Sequence, residues 1–128
     1  MKVTIYNKTL NHELWLDGKI LKPEVRAALL KIARTFFRDI ELKVHIRDIL
    51  FLGSSANYNW TPTSDIDLHL LVDFNDLRMA PEAAKEYTKL IAKKWNEEQE
   101  INIRGHKVEV YIQDVKKKIE QQEYILCF

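Results

Sequence analysis

The chain has 128 residues, 46% of them hydrophobic and 30% charged, a balance that suits one folded core and excludes a disordered or membrane-embedded protein. Its 20 basic and 19 acidic side chains leave a formal net charge of +1, so no global field draws it to nucleic acid or to an anionic membrane. The lone Cys127 excludes an internal disulfide and suggests no nucleophile; with no signal-peptide core in Met1 to Tyr6 and no membrane-length apolar run, a cytoplasmic protein without a membrane partner is expected.

One domain over 1–128 is predicted, its first part, 1–22, wrapped on the core through Leu14, Trp15, Leu16 and Ile20. Pro23 then opens a run in which Val25, Leu29, Ile32, Phe36 and Ile40 recur at helical spacing, predicting an amphipathic helix from 23 to about 40. Ile46 to Leu52 is short, apolar and ended by Gly53, as a strand feeding a tight turn would be. Ser54-Ser55-Ala56-Asn57 can start a short helix, and a loop from Tyr58 to Thr63 follows. From Asp65 to Phe74, polar Asp65, Asp67 and His69 alternate with apolar Ile66, Leu68 and Leu70, the pattern of a strand with one polar face.

Pro81 begins a second helix, expected to reach about Gln99 and to bury Ala84, Tyr87, Ile91 and Trp95. Ile101 to Ile103 and Lys107 to Ile112, joined at Arg104-Gly105, read as a hairpin. Asp114 is expected to cap a last short helix through Ile119. Together these elements predict an α/β (α+β) fold, a small mixed sheet flanked by helices.

The chemistry concentrates around Asp65 and Asp67. Residues two apart on a strand share a face, so the two carboxylates point the same way and repel unless a cation lies between them. Hard oxygen donors of this kind suit Mg²⁺, which takes substrate phosphates as further ligands. Upstream, Gly53 permits close backbone approach, and Ser54 and Ser55 offer hydroxyl and N–H groups to a phosphate.

Gly53-Ser54 followed by Ser64-Asp65-Ile66-Asp67-Leu68 resembles the signature of the DNA polymerase β-like nucleotidyltransferase superfamily. Members carry a third carboxylate on a later strand, and Val108-Glu109-Val110 is the matching segment, with Glu in place of the commoner Asp. The wider wording from Gly53 to Trp60 and from Ser64 to Leu70, with Leu21 to Arg26 and Glu109 to Asp114, is also similar to a group of predicted bacteriophage nucleotidyltransferases. This resemblance implies a minimal nucleotidyltransferase fold. It implies Asp65, Asp67 and Glu109 as catalytic residues and ligands of two Mg²⁺ (or Mn²⁺) ions, and Gly53, Ser54, Ser55, Ser64 and Lys107 as the nucleotide and phosphate site. The substrate would be a nucleoside triphosphate, and the acceptor a hydroxyl of RNA, DNA, protein or a small molecule. Asn57 departs from the glycine that many members place there. The chain leaves no room after Asp114 for the helical domain that usually selects base and acceptor, so a helical partner protein or a second copy in a homodimer is expected to supply it.

Other readings of these residues stand beside that one. Asp-x-Asp on a strand can be a solvated polar face, and His69 can be a surface histidine. Lys107 and Arg104 can be solvated hairpin charges, and Tyr58 and Trp60 can anchor a loop as readily as stack on a base. A non-catalytic nucleotide-binding or antitoxin-like module of the same fold is the alternative for the whole chain.

Overall fold

The computed structural model describes residues 6–17 and 19–117, with the backbone of Tyr124–Ile125. Strands β1 (Trp15–Leu16) and β2 (Ile20–Leu21) form a small antiparallel pair. The main sheet holds β3 (Asp48–Leu52), β4 (Ile66–Val72), β5 (Ile101–Ile103), β6 (His106–Asp114) and β7 (Tyr124–Ile125) in the order β5-β6-β4-β3-β7. Only β4 and β6 run parallel; every other pairing in that sheet is antiparallel, so the sheet is mixed as expected.

Helix α1 (Pro23–Ile40) begins where a proline fits a first turn that has no hydrogen bond to lose. Helix α2 (Pro81–Gln99) begins the same way and provides the long crossover that two parallel strands require. Both cover the face formed by Ile66, Leu68, Leu70, Val108 and Val110, all nearly inaccessible. Two aromatic pairs fasten the layers: Phe36 meets Trp95 edge-on at 5.1 Å between the helices, and Trp15 stacks on Phe51 at 5.7 Å. Each such pair adds roughly 0.5–1.5 kcal/mol beyond the area it buries. The Trp95 indole N–H also donates to Asp39 Oδ2 at 3.0 Å, so α2 is tied to α1 at both ends of that ring.

Several expectations need correction. On α2 Ala84 and Trp95 are buried as expected, but between them Thr88 and Ala92 take the inward places in lieu of the exposed Tyr87 and the half-buried Ile91, a shift of one residue in the middle of the stripe. Thr88 can lie inward because its hydroxyl donates to the Ala84 carbonyl at 2.9 Å. Within the first segment Leu10, Leu14, Trp15 and Leu21 enter the core, but Leu16 and Ile20 point out, because residues on opposite faces of a strand cannot all be buried by one layer. Asp114 caps no helix over the described residues that follow it. It closes the parallel ladder opposite Val72, a turn takes Val115 to Lys117, and the rest of that expected helix lies outside the described residues. The polar strand starts at Ile66, and a 3-10 turn over Phe74–Leu77 takes up its expected end.

Candidate functional site

The site lies on the sheet face away from the helices. Period two sends Asp67 and His69 of β4 to this face, and the same rule sends Lys107, Glu109, Tyr111 and Gln113 of β6 there. The parallel register sets Asp67 beside Glu109 and His69 beside Tyr111. Asp65 stands exposed just ahead of β4. On the other flank Leu52 of β3 is opposite Asp67, and Gly53 follows it.

Gly53 has φ +89° and ψ −176°, a conformation essentially closed to residues with a side chain. It is also where the chain passes closest to the carboxylates: a β-carbon there would sit 2.8 Å from Asp67 Oδ2. The 3-10 turn Ser54–Ala56 follows, closed by the Ala56 N–H to the Gly53 carbonyl at 3.1 Å. Asn57, where a glycine is common, adopts extended backbone, so no glycine is required, and its side-chain amide donates to the Gly53 carbonyl at 3.2 Å.

Ser64 is the hub that fixes this turn to the acidic strand. Its hydroxyl oxygen accepts from the Ser54 hydroxyl and from the Thr61 N–H, each at 2.7 Å. Its carbonyl accepts from the Ser55 hydroxyl at 3.1 Å and lies 2.7 Å from His106 Nδ1. Ser55 is fully buried, so its hydroxyl serves this internal bond and not the open face. His106 is fully buried as well, with Nε2 3.2 Å from the Asn11 carboxamide nitrogen. That environment selects one tautomer, with Nδ1–H donating to Ser64 and Nε2 accepting from Asn11.

Electrostatics separate the two carboxylates that share a rung. Burial, then the neighbouring charges of Glu109 and Asp65, push Asp67 up from 3.8 to about 6. Glu109 moves the other way: the Tyr111 hydroxyl donates to it, and Lys107 Nζ lies 3.2 Å from its other oxygen, so its carboxyl is held below the usual range. The same contacts raise Lys107, while Tyr111 is raised first by burial and then by its bond to Glu109. His69 bonds Gln113 Oε1 through Nδ1 at 2.6 Å, and burial lowers its basicity, so it is a held member of the face and not a free surface histidine.

Sequence-predicted residues therefore fall into three groups. Asp65, Asp67, Glu109 and Lys107 interact electrostatically on one face, with Gly53 against Asp67. Ser54, Ser55 and Ser64 form a single hydrogen-bonded turn beside them. Arg104 stands apart, its guanidinium 3.4 Å from Glu24, and Trp60 and Tyr58 anchor the first segment through Thr9 and Asn7. Tyr111 and His106 were not singled out by the sequence reading. Parity on β6 was the available signal, since Tyr111 shares the face of Glu109, and His106 that of Val108 and Val110.

The donor set also bears on a metal. Asp65 and Asp67 supply hard oxygens, and Asp67 is raised first by burial and then by the charges of Glu109 and Asp65. Glu109 already has a cationic and a phenolic partner, and among the described residues no three His, Cys, Asp or Glu side chains form a ready metal cage. The residues present fit a divalent ion at the Asp65 and Asp67 carboxylates.

The fold is a small α+β domain in which a glycine turn packs on an Asp-x-Asp strand with a glutamate one strand over. The chain belongs to the nucleotidyltransferase domain family, whose description matches residues 14–126. Membership brings general nucleotidyl transfer with a nucleoside triphosphate as substrate. No curated protein matches the chain, and no solved structure does. No helix among the described residues is long and apolar enough to cross a membrane.

Proposed function

We propose that the chain transfers a nucleoside monophosphate from a nucleoside triphosphate to an acceptor hydroxyl in the presence of Mg²⁺ or Mn²⁺. The observation that carries this reading is the rung on which Asp67 and Glu109 lie side by side, with Asp67 raised to about 6 by burial and by its acidic neighbours. Asp65 and Asp67 would hold the ions, with Glu109 as third donor after giving up its contact with Lys107. Such ions would neutralise charge on the triphosphate and lower the pKa of the attacking hydroxyl. Lys107, once released, would neutralise the departing pyrophosphate. The Ser54 hydroxyl can turn from Ser64 to a phosphate oxygen, while Ser55 and Ser64 keep the turn in place. Glu109, held low, stays ionised as a ligand near neutral pH, and Asp67, raised without metal, would become one as the ions favour its ionised form.

The narrower likeness to the bacteriophage group leaves base and acceptor open, and a helical partner or a second copy remains part of the reading. The test is incubation with each labelled nucleoside triphosphate, Mg²⁺ and a cell lysate. Label is expected on a macromolecule or small acceptor with the wild type and not with Asp65→Asn. Absence of metal-dependent label from every triphosphate with the wild type would refute the reading.

A further inference from the structure

The outer edge of β6 is covered for only part of its length. β5 pairs with it from His106 to Val108. The Asn96 carboxamide then takes the place of a strand, donating to the Val110 carbonyl and accepting the Val110 N–H, both at 2.9 Å. Alternate residues of a strand direct their backbone groups the same way, and the Val115 N–H reaches Val72 on the β4 side at 2.9 Å. Val110 and Ile112 therefore face outward, and among the described residues nothing pairs with the Ile112 N–H or C=O. Here the edge opens into a groove of about 1190 Å³ between β6 and α2.

The α2 wall of that groove carries Lys85, Lys89 and Lys93, exposed and one turn apart. None has an ion pair among the described residues, and like charges four apart on a helix repel. Glu82, Glu97 and Glu100 line the groove beyond the two ends of this stripe, and Glu109 and Asp114 line it from β6, so its cationic part is the stripe of three lysines on α2.

We propose that this groove binds an extended acidic segment of a partner protein, which adds to β6 at Ile112 as a short strand with its carboxylates against Lys85, Lys89 and Lys93. Strand addition takes affinity from main-chain hydrogen bonds and specificity from alternate side chains. A nucleic-acid strand would satisfy the lysines but presents no row of peptide N–H and C=O groups to Ile112, so the edge favours polypeptide. Lys107 and Glu109 also line the groove, which sets the bound segment beside the carboxylate face. His69, Tyr111 and Gln113 of that face line the same groove, so the segment binds next to the residues of the transferase reading, but its binding requires neither nucleotide nor metal.

The probe is a short end-blocked peptide alternating glutamate and valine, added to the full chain. Amide hydrogen exchange at Ile112 is expected to slow by roughly ten-fold or more at saturation, as for any amide taken from water into a ladder. Charge reversal of Lys85, Lys89 and Lys93 together to glutamate is expected to weaken binding by roughly ten-fold or more with the fold intact. The same peptide methylated on alternate backbone nitrogens should bind weakly and leave Ile112 exchange unchanged. Unaltered Ile112 exchange with the unmodified peptide overturns the proposal and leaves the lysines as guards of an open edge. Binding of an oligothymidylate in the groove with no peptide binding overturns it in favour of nucleic acid.

Discussion

Replacing Asp67 by asparagine removes a charge and keeps the side chain's shape, so the cost of that charge can be read directly. Folding raises the Asp67 carboxyl from 3.8 to about 6. At about 1.36 kcal/mol per pH unit the ionised group would cost about 3 kcal/mol, and solvent screening at a side chain that is partly open reduces this to about 1.5 kcal/mol. Because the pKa is raised, its stabilising effect is complete below 3.8, is lost as the pH climbs, and is gone above about 6. Asp67→Asn should therefore be more stable than wild type by about 1–2 kcal/mol at slightly alkaline pH, or about 3–8 °C in Tm for a chain of this size. The difference should vanish at a pH well below 3.8. Saturating Mg²⁺ with nucleoside triphosphate should raise the Tm of the wild type and leave the variant unmoved. Urea melts and scanning calorimetry at the two pH extremes, without metal, measure the first effect. A variant equal to wild type at alkaline pH, or better by the same margin at both extremes, would refute the electrostatic argument.

Two further perturbations probe the frame around the carboxylates. Gly53→Ala forces a side chain into a conformation reserved for glycine and against Asp67 Oδ2, so a loss of about 2–4 kcal/mol is expected in urea denaturation; a loss under about 1 kcal/mol would mean that the turn relaxes freely. His106→Leu leaves the Ser64 carbonyl without one donor and the Asn11 amide without an acceptor in the core, so a loss of about 2–4 kcal/mol is expected in the same assay, with His106→Gln recovering part of it; equal stabilities for the two variants would deny the hydrogen bonds their role.

The fold was legible where the signal was periodic and long. Both helices open on prolines the sequence displays, and the strict alternation from Ile66 to Leu70 announced a strand with one wet face. It was less legible where packing decides among near-equal choices. Tyr87 and Thr88 are one residue apart on α2, and hydrophobicity alone turns the larger one inward. The close approach of α2 to β6 instead favours small side chains such as Ala84, Thr88 and Ala92, and a hydroxyl that can return its hydrogen bond to the helix loses little by burial. Asp114 suits a helix cap by residue type, yet over the described residues it lies in the parallel ladder opposite Val72, its side chain accepting from the Phe74 and Lys116 N–H groups at 3.4 Å.

For the site, local spacing brought Asp65, Asp67, Gly53 and Ser54 into view, because strand alternation and a glycine turn are short-range facts. What it could not supply was the pairing across strands that gives two carboxylates different properties. Glu109 is made a strong anion by Tyr111 two residues on and by Lys107 two residues back, an arrangement that period two alone contains once the strand is known. Asp67 receives the opposite treatment from its depth in the sheet and from Glu109 itself. The buried bond from His106 to the Ser64 carbonyl ties the start of β6 to the residue just upstream of Asp65, so a histidine that never reaches the open face helps hold the acidic segment against β6. A site of this kind depends on residues behind it as much as on those that line it, and those residues look in sequence like ordinary members of a strand or loop.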